Sequence, residues 1–227
     1  MHILIFLLFV LYPVQEVENV KLTFPSSQYE IFINYANDNF SQQLTLQNDM
    51  ITADIKNANY LDLNLEFRVI PNRAYIDSLN PNVRELILDL FDGSESLKNY
   101  LTNVSIFLAG HISYSDQELP QDAAAVFFSR KANCVGYSNV VRVLLDAAGI
   151  KNETVKGFYL RKEKGNLLIP VPHRWVEITL EDNTKFFYDP QHQGFAVNYI
   201  LTRGDVDFKQ VKKFKVYMID QSKKILN

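Results

Sequence analysis

A single cysteine, Cys134, is the most reactive side chain in this 227-residue sequence. One thiol forms no intramolecular disulfide and builds no cysteine zinc site, which needs several thiolates. Cys134 is therefore either an inert packed thiol or a nucleophile. Three histidines lie beyond the first few residues, His111, His173 and His192. His173 opens the segment HRWVEITL, whose alternation is that of a strand, so His173, Trp175 and Glu177 share one face. Asp189 ends a second short apolar run, KFFYDPQ. A carboxylate there could accept a hydrogen bond from an imidazole and fix its tautomer. A thiol, an imidazole and a carboxylate are side-chain types that nucleophilic catalysis uses. Each also has a plain structural use: a small core side chain, a surface histidine at a strand end, and an aspartate starting a turn before Pro190. A metal held by His173, His192 and a carboxylate such as Asp189 would match no standard ligand spacing.

The elements around these residues can be placed. Tyr137, Val140, Val141, Leu144, Leu145 and Ala148 form one apolar stripe at helical spacing. Asn133 stands where an N-cap should and Gly149 where a C′ glycine should. Cys134 is then in the first turn of a helix, where the dipole favours a thiolate and free amides can stabilise an oxyanion. The hairpin after His173 is a register question. A two-residue loop would turn Asp189 to the face away from His173. A three-residue loop, Glu181 to Asn183, puts Asp189 across from Trp175, diagonal to His173 on the same side. Asn183 can take the left-handed position such a loop needs, and the odd-length loop is the expectation.

Further helices are expected over Pro81 to Phe91, over 95–109 with Ser94 as N-cap, and over 122–129. Strands are expected between 20 and 69, with LDLNLEFRV (61–69) the clearest alternation, and Asn-rich breaks at 37–39, 48–49 and 57–59 separating them. More strands are expected over 153–160, 173–180, 185–189, 196–201 and 211–219. Strands, then helices, then strands is an α+β order. The sequence has no GxGxxG and no P-loop.

The 23 Lys+Arg against 26 Asp+Glu give a net charge of −3, which removes the basic excess of a nucleic-acid binder. Residues 3–12, ILIFLLFVLY, are unbroken apolar. Ten residues of helix reach about 15 Å, half of a hydrocarbon core about 30 Å thick. The run suits the apolar part of a signal peptide ended by Pro13, so a leader over 1–17 and a secreted or periplasmic product are expected. Membrane contact would come only through that segment if it is not cleaved. A β-rich region over 18–72 and a core over 73–227 complete the expected organisation.

In order, KANCVGYSNVVRVLLDAAGI, VKGFYL, HRWVEI and FYDPQ resemble the transglutaminase-like core of the papain-like cysteine enzymes, bacterial type, across about residues 97–189. The upstream HISY resembles the stretch before the nucleophile in bacterial members. The resemblance implies an α+β fold of helices packed on an antiparallel sheet, with the β-rich region added at the N-terminus. It implies Cys134 as nucleophile, His173 as base and then acid, and Asp189 as the group orienting His173. The implied reaction is acyl transfer at an amide through a thioester, without a cofactor or metal. The acceptor is water or an amine, and the substrate a protein or peptide, a cell-wall peptide included. Crosslinking members use a tryptophan upstream of the nucleophile for the oxyanion, whereas the one tryptophan here, Trp175, lies downstream. Tyr114 is the candidate replacement donor. Ala132 and Asn133 stand where many members carry a glycine, and the length excludes the large multidomain members. Both the missing tryptophan and the length favour hydrolysis over cross-linking. The alternative is a catalytically silent binding module on the same fold, with a buried, unreactive Cys134.

Overall fold

A computed structural model describes residues 19–192 and 199–219. The expected leader over 1–17, and residues 196–198 of an expected strand, lie outside the described residues.

The N-terminal part is antiparallel: β1 (Asn19–Pro25), β2 (Tyr35–Ala36), β3 (Phe40–Gln47) and β4 (Met50–Asn57). Asn48 and Asp49, with φ of 46° and 59°, form the two-residue turn that joins β3 to β4, a conformation asparagine and aspartate tolerate best after glycine. Five helices follow: α1 (Arg73–Asp77), α2 (Pro81–Phe91), α3 (Leu97–His111), α4 (Ala123–Ser129) and α5 (Cys134–Ala147). Two short strands, β5 (Ser113–Tyr114) and β6 (Lys131–Ala132), pair in parallel just before α5. The chain then returns through β7 (Lys151–Lys162), β8 (Leu167–Thr179), β9 (Lys185–Tyr188), β10 (Tyr199–Leu201) and β11 (Val216–Met218).

Nine of these strands form one sheet in the order β10-β7-β8-β11-β1-β4-β3-β2, with β9 also on β8. The sheet rolls on itself. Phe32 bridges Thr202, the Gln42 carboxamide bonds both the N–H and the C=O of Leu201, and Asn39 does the same for Phe187. Alternate residues of β8 therefore feed two cores, as period two requires. Val176 and Ile178 pack with Phe186 and Tyr188 against the helices. Trp175 packs with Phe187, Leu22, Phe24 and Ile51 inside the roll.

Three expected elements are corrected. LDLNLEFRV is not a strand: a 3-10 turn covers Tyr60–Asp62 and the chain beyond it carries no ladder. Its carbonyls at Leu65 and Phe67 accept the N–H groups of Lys98 and Leu97, the first turn of α3. Alternation survives only in part, with Leu65 and Val69 buried and Phe67 exposed. α3 also starts two residues later than expected. Ser96 caps it by accepting from Asn99, whereas the Ser94 hydroxyl donates back to Leu90 at the end of α2. The last expected strand is confined to β11, since 211–215 carry no strand.

Candidate active site

α5 forms where its stripe demands. Tyr137, Val140, Val141, Leu144 and Leu145 are all buried, and Gly149 follows the helix with φ of 66°. The side chain of Asn133 accepts from the N–H of Val135 and of Gly136, a cap that contributes about 1 kcal/mol. Asn133 is held in turn: its own N–H donates to Oε1 of Gln121 at 2.9 Å. Gly136 makes room for that carboxamide, since a Cβ on it would lie 2.3 Å from Gln121 Oε1. Cys134 is thus fixed at the head of α5, half-buried, and among the described residues no hydrogen bond occupies its N–H.

β8 and β9 deliver the other two residues. Val176 pairs with Tyr188 and Thr179 with Lys185, and Leu180 accepts from and donates across the turn to Asn183 and Thr184. This is the three-residue loop, with Asn183 at φ of 68°. Extending the register places Asp189 across from Trp175. On the other side of β8, Gly157 of β7 pairs with His173. A Cβ on Gly157 would lie 2.2 Å from the Ile200 carbonyl and 2.6 Å from Trp175, so glycine is what lets the indole and β10 close beneath His173.

His173 Nε2 and Asp189 Oδ2 are 2.7 Å apart, with His173 buried and Asp189 fully so. With Nε2–H donated to the carboxylate, Nδ1 is the nitrogen left for Cys134. Burial opposes the charged imidazolium. The Asp189 charge, its hydrogen bond and the neighbouring Cys134 outweigh burial and push His173 up to about 9. Burial would also raise Asp189, but the His173 charge and the hydrogen bonds of His173 and His192 hold it well below the usual carboxylate range. Cys134 and His173 line one pocket of about 450 Å³, with Lys156, Arg174 and Asp205 around them.

Asp189 does more than the sequence suggested. Its Oδ1 accepts the N–H of Gln191 at 2.9 Å, the aspartate–proline turn that was its plain structural reading. Its Oδ2 also accepts from His192 Nδ1 at 2.7 Å and from the Tyr199 hydroxyl. His192 stacks on Tyr159 with centroids 4.9 Å apart, and Tyr199 stacks on His173 at 5.7 Å. His192 and Tyr199 were not assigned to the Asp189 carboxylate from sequence. The turn at Pro190, which folds position 192 back on 189, was the available signal. His173, Asp189 and His192 are the side chains whose ligand atoms, within 4.8 Å of one another, could hold a metal among the described residues. Their 2.7 Å contacts are hydrogen-bond lengths, so shared protons already satisfy the cluster.

Tyr114 lies on β5 beside Ala132, near enough to feel the Cys134 charge. Its hydroxyl donates to Asp116 and the side chain is 52% exposed. The bond to Asp116 and then burial push Tyr114 up to about 12, so its proton is committed to that carboxylate. His111 ends α3 and its Nδ1 contacts the Phe107 carbonyl at 3.0 Å, a helix-end use away from the site.

The sequence pattern of the Transglutaminase-like superfamily matches residues 85–190, a span that includes Cys134, His173 and Asp189. Among curated proteins no sequence matches. Among solved structures the chain is similar to a candidate cysteine protease from Cytophaga hutchinsonii, at 10% identity over 89% of this chain and 93% of that one, with a TM-score of 0.45. It is also similar to the periplasmic domain of TgpA from Pseudomonas aeruginosa, at 18% identity over 76% of this chain and 68% of that one, with a TM-score of 0.46.

Proposed function

We propose that the chain, whose residues 85–190 match the Transglutaminase-like superfamily, is an exported cysteine-dependent amidase or peptidase, working through a thioester on Cys134. The observation that carries this reading is the shared pocket of Cys134 and His173, with His173 hydrogen-bonded to a buried carboxylate at 2.7 Å. With the thiol proton held at Nδ1 of His173, Sγ of Cys134 attacks the carbonyl carbon of a substrate amide. The oxyanion meets the N–H of Cys134, the first donor of α5. As the C–N bond breaks, the imidazolium returns its proton to the leaving amine, and an acyl thioester remains. His173 then takes a proton from water, whose oxygen displaces the thiol. An amine in place of water would give cross-linking. Asp189 keeps His173 in the tautomer with Nδ1 free and stabilises its charge, as His192 and Tyr199 hold Asp189 still. A second oxyanion donor from Tyr114 would require its hydroxyl to leave Asp116.

Export belongs to the same proposal and rests on the apolar run at 3–12; fractionation of expressing cells tests it. No helix among the described residues is long and apolar enough to cross a membrane. The chemistry is tested by incubating the protein with peptide amides and weighing it intact. The expected result is amine release with an acyl adduct on Cys134, and neither in Cys134→Ala. Turnover that persists in Cys134→Ala would overturn the reading. Faster incorporation of a fluorescent primary amine than hydrolysis would move the acceptor from water to amines.

A further inference from the structure

The pocket of Cys134 and His173 does not end at the thiol. Pro172, Phe208 and Lys209 line both it and a second cavity of about 970 Å³. The floor of the second cavity is apolar, built from Phe158, Ile169, Pro170, Phe208, Phe214 and Tyr217. Its rim is basic. Lys209, Lys212, Lys213 and Lys215 all line it and all are exposed. In a chain of net charge −3, the segment KQVKKFK (209–215) carries four positive charges and no acid. Among the described residues none of the four lysines makes an ion pair. Among the described residues the acids closest before this segment are engaged elsewhere: Asp205 with Arg203 at 3.3 Å, and Asp207 with the N–H of Lys209 and the carboxamide of Gln210.

Four like charges on one short segment repel one another, and an anionic partner would relieve that repulsion. The floor adds burial for large apolar side chains at roughly 25 cal/mol per Å². Pro170 and Pro172 have no N–H, so β8 cannot lengthen its ladder with a guest strand there, and side chains and charge must do the selecting. Resting on the amidase reading above, we propose that the trough is the acyl-donor subsite. It selects polypeptide segments in which large apolar residues are flanked by acidic ones, and leads the adjoining amide to Cys134. Continuity with the thiol pocket favours a polypeptide over an anionic lipid surface as the occupant.

The test uses Cys134→Ala protein, so that binding is read without turnover. Its probe is a short fluorescein-labelled peptide, blocked at both ends, with a Phe-Leu pair followed by glutamates. The control is the same peptide with lysines for the glutamates. Anisotropy should give about tenfold tighter binding of the acidic peptide, weakening as salt rises. In that background the triple variant Lys212→Glu/Lys213→Glu/Lys215→Glu should reverse the preference, and the same triple variant made with Cys134 retained should still be alkylated by iodoacetamide at the wild-type rate. Equal binding of both peptides, or no effect of the triple variant, would overturn the subsite. So would binding to phosphatidylserine vesicles that is lost in the triple variant while neither peptide binds, since that outcome assigns the lysines to a lipid surface. If the acidic peptide binds selectively but native Cys134 resists iodoacetamide, the trough stands and the amidase reading falls.

Discussion

The two ends of the cleft are built on opposite principles. At Asp189 nothing is left open. The carboxylate is fully buried and accepts from two imidazoles, a phenol and main-chain N–H groups. At the trough the floor is apolar and the lysine rim is exposed. The difference teaches where this fold spends its rigidity. The proposed proton transfer would tolerate little misplacement, and the groups assigned to it sit in a buried hydrogen-bond network. Selection of a segment by charge and apolar contact, as proposed for the trough, tolerates adjustment, and the lysines there are long and exposed.

Breaking the closed end should have the largest effect. Asp189→Ala leaves three side-chain donors facing an empty acceptor. It should cost about 3–5 kcal/mol in urea unfolding and about a thousandfold in kcat/KM on any peptide amide turned over. A loss in stability without loss of turnover would show Asp189 to be a structural aspartate only. Next in size is pH. The raised His173 contributes stability that is full below about 6.5 and fades as pH climbs through about 9. The depressed Asp189 contributes stability that is full above about 3.8 and fades only under stronger acid. Tm should therefore be highest between about pH 4 and 6.5 and decline towards pH 9, and His173→Gln should flatten the alkaline decline. A smaller effect sharpens the comparison from within. His192→Ala keeps the His173–Asp189 bond and removes one support, so kcat should fall about tenfold with KM little changed. An unchanged kcat would confine His192 to the turn. The smallest effect belongs to the open end, where Lys212→Ala should leave stability within about 0.5 kcal/mol.

The closed end was also the more legible of the two in sequence, up to a point. Loop length and side-chain alternation are local rules, so Glu181–Asn183 set the register that brings Asp189 to the face of His173. The stripe from Tyr137 to Ala148 set the helix that carries Cys134. His192 and Tyr199 were not assigned there because their approach to Asp189 depends on how the chain bends after Pro190, which no period encodes. LDLNLEFRV misled for a related reason. Alternation reports which side chains are buried and says nothing of what the backbone bonds, and here two carbonyls serve the first turn of α3. Ser94 and Ser96 are both good caps two residues apart, and Ser94 is taken up in closing α2 through Leu90, which leaves Ser96 to cap α3. The trough was invisible because it joins β8, the 208–217 segment and the N-terminal strands, three stretches far apart in the chain.

The most direct measurement is the rate of Cys134 alkylation by iodoacetamide in the native protein, against pH, for wild type and His173→Ala. A thiol paired with His173 should react readily at neutral pH in the wild type and at least about tenfold more slowly in His173→Ala. Equal rates in the two proteins, or a thiol that reacts only after unfolding, would contradict a nucleophilic Cys134 and leave a binding module on a transglutaminase-like fold.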